Sequence, residues 1–138
     1  MTIGQNVLTP TRIYIRQLLP AIKAGLLKGL SHITGGGFTE NVPRMLPKTV
    51  GVSIDLSELE MPPTFRWLMK SGGIAPEEML RTFNCGIGMV CVVQKEQVEA
   101  AVELLRMSGE AQVVVMGEVT GSPGVRYSGM DRWAKQGR

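Results

Sequence analysis

Hydrophobic positions along this chain switch between two spacings. Ile87 to Val93 is nearly all apolar, short and rich in β-branched side chains, which predicts a central strand covered on both faces. Val50 to Leu56 alternates instead. Val50, Val52, Ile54 and Leu56 share one face, while Gly51, Ser53 and Asp55 share the other, as in a half-buried strand. Shorter runs predict strands over Gly29 to Ile33 and Val113 to Val119, and an edge strand over Val125 to Tyr127.

Helical spacing appears between them. Ile15, Leu18, Leu19 and Ile22 fall at i, i+3, i+4 and i+7, so a helix is expected from Thr11, capped by the Thr11 hydroxyl, kinked or restarted at Pro20 and closed by Gly25. Thr39 or Asn41 can cap a short helix that Pro47 ends. Pro62-Pro63-Thr64 opens a helix carrying Phe65, Leu68 and Met69 inward, and Gly72-Gly73 stops it. Pro76-Glu77-Glu78 opens the next, with Met79, Leu80 and Phe83 inward. Gln97 to Met107 is the clearest helix, with Val98, Ala101, Val102 and Leu105 on one stripe. Residues 1–10 lack periodicity and read as a leader or linker remnant, residues 11–128 as one domain, and residues 129–138 as a loose polar tail. The expected class is α/β (α+β), a mixed sheet of about four strands covered by helices. Spacing alone does not choose between a parallel crossover and an antiparallel layout for residues 87–119.

Composition narrows the function classes. At 138 residues and 43% hydrophobic content the chain can bury one core. It shows no membrane-length apolar run and no secretory layout, so a cytoplasmic protein with no membrane partner is expected. The net charge of +3 comes wholly from residues after Gly124, where Arg126, Arg132, Lys135 and Arg138 face only Asp131. With a balanced body and 5% aromatics, no nucleic-acid partner is expected. Cys85 and Cys91, about 20 Å apart along an extended run, lie beyond the roughly 7 Å limit for a disulfide and should be free thiols. A single histidine and no paired cysteine motif predict no metal site.

The stretch from Ser31 to Arg44 concentrates the chemistry. A short strand runs into Gly35-Gly36-Gly37 and out into a helix start, a junction that aims backbone N–H groups at one spot and suits phosphate or carboxylate. An ordinary glycine-rich turn is the plain alternative. His32 is the residue to consider first for acid or base work near neutrality, against a merely structural hydrogen-bonding role. Asn41 and Arg44 are placed to bind a ribose or phosphate, or to form a solvated helix face. Gly86-Ile87-Gly88 is not a dinucleotide motif, because a strand rather than a helix follows it. Its glycines suit close passage of backbone or ligand, and Asn84 beside them is either a polar contact or a helix C-cap.

Two of these stretches, His32-Ile33-Thr34-Gly35-Gly36-Gly37-Phe38-Thr39-Glu40-Asn41-Val42-Pro43-Arg44 and Arg81-Thr82-Phe83-Asn84-Cys85-Gly86-Ile87-Gly88-Met89, preceded by Pro10-Thr11-Arg12-Ile13-Tyr14, closely resemble the carboxy-terminal half of the aminoimidazole ribonucleotide synthetases. The resemblance runs from about Leu8 to about Val119. It implies the cyclo-ligase reaction of purine biosynthesis, in which formylglycinamidine ribonucleotide is activated by ATP at its amide oxygen and closed by an amidine nitrogen. In that family an amino-terminal half binds ATP and magnesium and forms most of a homodimer interface, so the resemblance implies no cofactor held by this chain alone and no activity without that half. Carried over residue by residue, His32 is the catalytic candidate, and Thr34, Gly35, Gly36, Gly37 and Asn41 line a substrate wall with Asn84, Gly86 and Gly88 close by. An exposed apolar or glycine-lined patch is expected beside the turn. A non-catalytic phosphate-binding or scaffolding module of the same fold is the alternative. Sister families, the formylglycinamidine synthetases and selenophosphate synthetases, fit the Thr82 to Met89 run less well.

Overall fold

A computed structural model describes residues 2–136. Its helices are α1 (Ile3–Val7), α2 (Ile15–Lys23), α3 (Gly37–Asn41), α4 (Pro63–Gly72), α5 (Pro76–Thr82), α6 (Val98–Met107) and α7 (Met130–Lys135). Its strands are β1 (Leu27–His32), β2 (Gly51–Asp55), β3 (Met89–Val93), β4 (Gly117–Thr120) and β5 (Gly124–Ser128). The α/β expectation holds, but the strands divide into two sheets rather than forming one of about four. β1 pairs antiparallel with β3, with His32 opposite Met89. β2 lies at the centre of the other sheet, antiparallel to β4 and parallel to β5.

The alternation of β2 holds from Val52 on: Val52, Ile54 and Leu56 are buried in the main core with Ile33, Phe38, Met61, Met79 and Leu80, whereas Val50 is only half-buried and Gly51 is buried where the backbone of Ser122 and Gly124 passes close to it. β3 differs from expectation. It has one partner strand, and all five of its residues are only partly buried. Its apolar run is accounted for by helices rather than by strands on both sides. Val90 packs against the main core, whereas Met89 and Cys91 pack on a second cluster of Leu18 and Ala21 from α2 and Leu105 from α6.

Other boundaries moved for identifiable reasons. α2 begins at Ile15 without a side-chain cap, so Thr11 does not start it, and Pro20 sits inside the helix. Leu18 and Ala21 are buried against Leu105 of α6, whereas Ile15, Leu19 and Ile22 remain exposed. The expected strand from Val113 forms only from Gly117: the ladder with β2 runs from Gly117 to Thr120, with one further bond from the Asp55 N–H to the Met116 carbonyl. The supposed leader contains α1, closed by a reciprocal capping box in which Thr2 and Gln5 bond each other's backbone N–H. The supposed tail contains α7. Trp133 is 1% exposed in the main core, and the Gln136 side chain accepts from the Met61 N–H and donates to the Leu59 carbonyl. One large aromatic and one amide thus anchor a segment whose average polarity concealed them. Met1 of the leader and residues 137 and 138 of the tail lie outside the described residues.

Candidate functional site at the end of the two-stranded sheet

Pairing of β1 with β3 fixes what meets at their shared end. His32 finishes β1, and the Ile33 N–H donates to the Gly88 carbonyl at 2.8 Å, so the glycine turn and the Asn84–Gly88 loop leave the sheet side by side. The turn docks onto the end of α5. A Cβ on Gly37 would sit 2.0 Å from the Leu80 carbonyl oxygen, and Gly37 has φ of +54°, so only glycine closes this contact.

Asn41 shapes the turn from beneath. It is 3% exposed, and its side-chain amide donates to the carbonyls of Thr34 (3.3 Å), Gly35 (3.1 Å) and Gly37 (2.8 Å). Arg44 fixes the amide's orientation by donating to its oxygen at 3.1 Å. A trans peptide places its C=O and N–H on opposite sides. Drawing the Thr34 and Gly35 carbonyls inward therefore turns the N–H groups of Gly35 and Gly36 outward. Among the described residues, neither donates to a protein acceptor. Two adjacent outward amides in a positive-φ turn make an anion-accepting concavity. The Gly37 N–H is not part of it, being committed to the Thr34 carbonyl at 3.0 Å.

A carboxylate stands at the rim. A Cβ on Gly36 would lie 2.7 Å from Glu40 Oε2, so the Glu40 side chain lies over the turn. Its pairing with Arg81, at 3.8 Å with both groups largely exposed, is weak, and rotation away from the turn costs little. On the other flank Thr39 shares a 2.8 Å hydrogen bond with the Tyr127 hydroxyl, which ties α3 to β5. Burial pushes the Tyr127 hydroxyl above its ordinary pKa, and the Thr39 bond acts in the opposite sense.

The expected site residues thus separate into two groups. His32, Thr34 and Gly35 are exposed, and Gly36 is partly so. Asn41 is corrected from ligand contact to architect of the turn, since its side chain is buried and its polar atoms are engaged. Asn84 is half-buried, and its side-chain oxygen accepts from the Gly86 N–H at 2.9 Å, a local turn that commits that N–H within the loop. Gly86 leaves space for Pro62, where a Cβ would be 2.4 Å from Cγ. Gly88 leaves space for Tyr14: a Cβ there would fall 1.8 Å from the Tyr14 hydroxyl. Tyr14 is the participant that residue-by-residue reading missed, although the Pro10–Tyr14 stretch had drawn notice. Its ring meets the His32 ring edge-on at a centroid distance of 6.1 Å.

Among the described residues no three His, Cys, Asp or Glu side chains gather in one place. A shallow cleft of about 180 Å³, lined by Ile3, Asn6, Pro63, Thr64 and Trp67, contains none of the site residues. Among the described residues no helix is long and apolar enough to cross a membrane.

Fold and site together define a mixed α/β domain with a solvent-facing glycine turn at a sheet end. Over residues 2–129 the chain matches the family model described as AIR synthase related protein, C-terminal domain. It belongs to that family, among synthetases related to purine biosynthesis.

Proposed function

We propose that this chain is the substrate-side half of an ATP-dependent cyclo-ligase that converts formylglycinamidine ribonucleotide to aminoimidazole ribonucleotide, with release of ADP and phosphate. Phosphoryl transfer to the amide oxygen makes its carbon electrophilic, an amidine nitrogen attacks that carbon, and phosphate departs as the ring closes. ATP and magnesium are held mainly by an amino-terminal half, which also forms most of the homodimer, and the reaction is cytoplasmic. Within this chain the Gly35 and Gly36 amides receive an anionic oxygen of the phosphosugar. Thr34 and His32 flank them, and His32 is placed to exchange a proton with the closing ring.

One observation carries the reading: Asn41 gathers three turn carbonyls on the buried side, leaving outward amides next to the chain's single histidine. The exposed apolar side chains of Ile13, Ile15, Leu19 and Ile22 add support, since a missing half would cover such a surface. These side chains belong to α2 and the run before it, rather than to the turn itself.

The test is reconstitution. The purified chain with substrate and ATP is expected to form no product, and an amino-terminal half supplied separately is expected to restore ring closure. Turnover by the lone chain would end the need for a second half. Gly35 faces open space, so Gly35→Val should fold and yet abolish the reconstituted reaction. Wild-type turnover by that variant would remove the glycine turn from the site.

A further inference from the structure

A column of side chains leads from the site to a residue that neither motif contains. Arg12 spans the Glu110 carboxylate with both terminal guanidinium nitrogens, Nη1 at 3.1 Å to Oε1 and Nη2 at 2.8 Å to Oε2, in the paired geometry that makes such bonds strong and directional. The same guanidinium lies 5.3 Å from the centroid of the Tyr14 ring, within cation–π range. Tyr14 in turn meets His32 edge-on and rests on Gly88.

Glu110 is itself held by the end of α6. Gly109, at φ +96°, closes the helix: its N–H donates to the Arg106 carbonyl, and the Glu110 N–H donates to the Leu105 carbonyl, the paired bonds of a Schellman motif. The carboxylate side chain is only 15% exposed and so has one narrow set of positions. Between residues 8 and 14, the bond to Glu110 is the one polar contact, among the described residues, with a part of the chain distant in sequence.

We infer that Glu110 is a positioning residue for the glycine-turn site: through Arg12 it holds Tyr14 against His32 and so fixes the orientation of the imidazole. Without it, the run from Leu8 to Ile13 keeps no polar tether to a distant part of the chain, and the Tyr14 ring is held beside the histidine by its apolar packing on the Leu18, Ala21 and Leu105 cluster alone, with no anchored guanidinium on its other side to fix its tilt. Only the catalytic meaning of this arrangement rests on the reaction proposed above. The test reads ring geometry in the chain by itself, so the two fail separately.

The chain contains one histidine, so its ring C–H signals in an aromatic proton–carbon spectrum are unambiguous. Tyr14→Leu removes the neighbouring ring and is expected to shift the His32 signals. Glu110→Gln, which keeps the shape and discards the charge, is expected to shift them in the same direction while the amide spectrum elsewhere stays folded. The double variant should coincide with Tyr14→Leu alone, because Glu110 acts only through Tyr14. If Glu110→Gln does not fold, Arg12→Gln removes the same link from its exposed end and must give the same shift. Wild-type His32 signals in the folded Glu110→Gln or Arg12→Gln protein, or in Tyr14→Leu, would overturn the inference, as would simple additivity in the double variant.

Discussion

The side-chain amide of Asn41 donates to the Gly37 carbonyl at 2.8 Å from a position 3% exposed to solvent, and this bond closes the glycine turn around a buried polar centre. Asn41→Ala leaves the carbonyls of Thr34, Gly35 and Gly37 without that donor. Each buried group so abandoned costs about 1–3 kcal/mol, but solvent can rescue the two outer ones, so a net loss of about 3 kcal/mol is expected. Asn41→Asp should be worse, because it sets a carboxylate against the same three oxygens. Urea denaturation measures both. A change below about 0.5 kcal/mol for Asn41→Ala, the range of ordinary surface substitutions, would show that the amide does not organise the turn.

Adjacent glycines should respond oppositely to the same methyl group. At Gly35 an added Cβ meets nothing within 4 Å and the backbone is not in the left-handed region, so Gly35→Ala should leave stability within about 0.5 kcal/mol of the parent. At Gly37 the Cβ would collide with the Leu80 carbonyl oxygen, on backbone at φ +54°. Left-handed backbone alone costs a non-glycine residue roughly 1–2 kcal/mol, and the collision forces α3 off the end of α5. Gly37→Ala should therefore lose at least about 3 kcal/mol. Equal stabilities for the two variants, by thermal or urea melts, would contradict the docking geometry.

Why one glycine is a hinge of the fold and its neighbour an open surface was not legible in the run Gly35-Gly36-Gly37. That distinction depends on α5, reached through a chain segment far away in sequence. Local patterns were read well where the responsible contacts are local: the alternation of β2 from Val52 on, the α4 and α5 starts at Pro63 and Pro76, and the helix ending before Ser108-Gly109. They failed where a single long-range contact decides. Trp133 turns a polar tail into part of the core, and Glu110 draws Arg12 across the structure, yet neither belongs to a repeating pattern. At the site, His32 and Thr34 are exposed, whereas the inward role of Asn41 and the local bond of Asn84 to the Gly86 N–H follow from hydrogen bonds that composition does not encode.

The end of the chain gives a prediction of its own. Trp133 is 1% exposed among Leu56, Leu59 and Met61, and the two Gln136 bonds fasten α7 to the strand-like run before α4. Trp133→Ala should cost about 3–5 kcal/mol, the range for emptying a buried aromatic site. Truncation after Gly129 should be at least as damaging, although it removes a segment lying beyond the region matched to the family. A truncated chain that keeps the parent's melting temperature and near-ultraviolet circular dichroism would place α7 outside the cooperative fold.

Both cysteines link folding to alkaline pH. Burial pushes the Cys85 thiol up to about 12 and the Cys91 thiol up to about 11, from an ordinary value of 9.0. Unfolded thiols ionise near that ordinary value, whereas the folded ones stay neutral, so the unfolded state binds fewer protons above it. Stability is therefore at its full value below pH 9 and falls as pH rises toward 11 and 12, with a limiting slope of about 1.4 kcal/mol per pH unit for each thiol. Tyr127 is also raised by burial and adds a decline of its own, so parent and variant must be compared at each pH. Cys85→Ala combined with Cys91→Ala should flatten the fall in urea midpoint between pH 8.5 and 10.5, a window set by these thiols. In the parent, iodoacetamide at pH 8 should label both thiols far more slowly in the folded protein than in urea, because only the thiolate reacts. Rapid labelling of both folded thiols, or an unchanged alkaline slope in the double variant, would mean that neither thiol is shielded by the core.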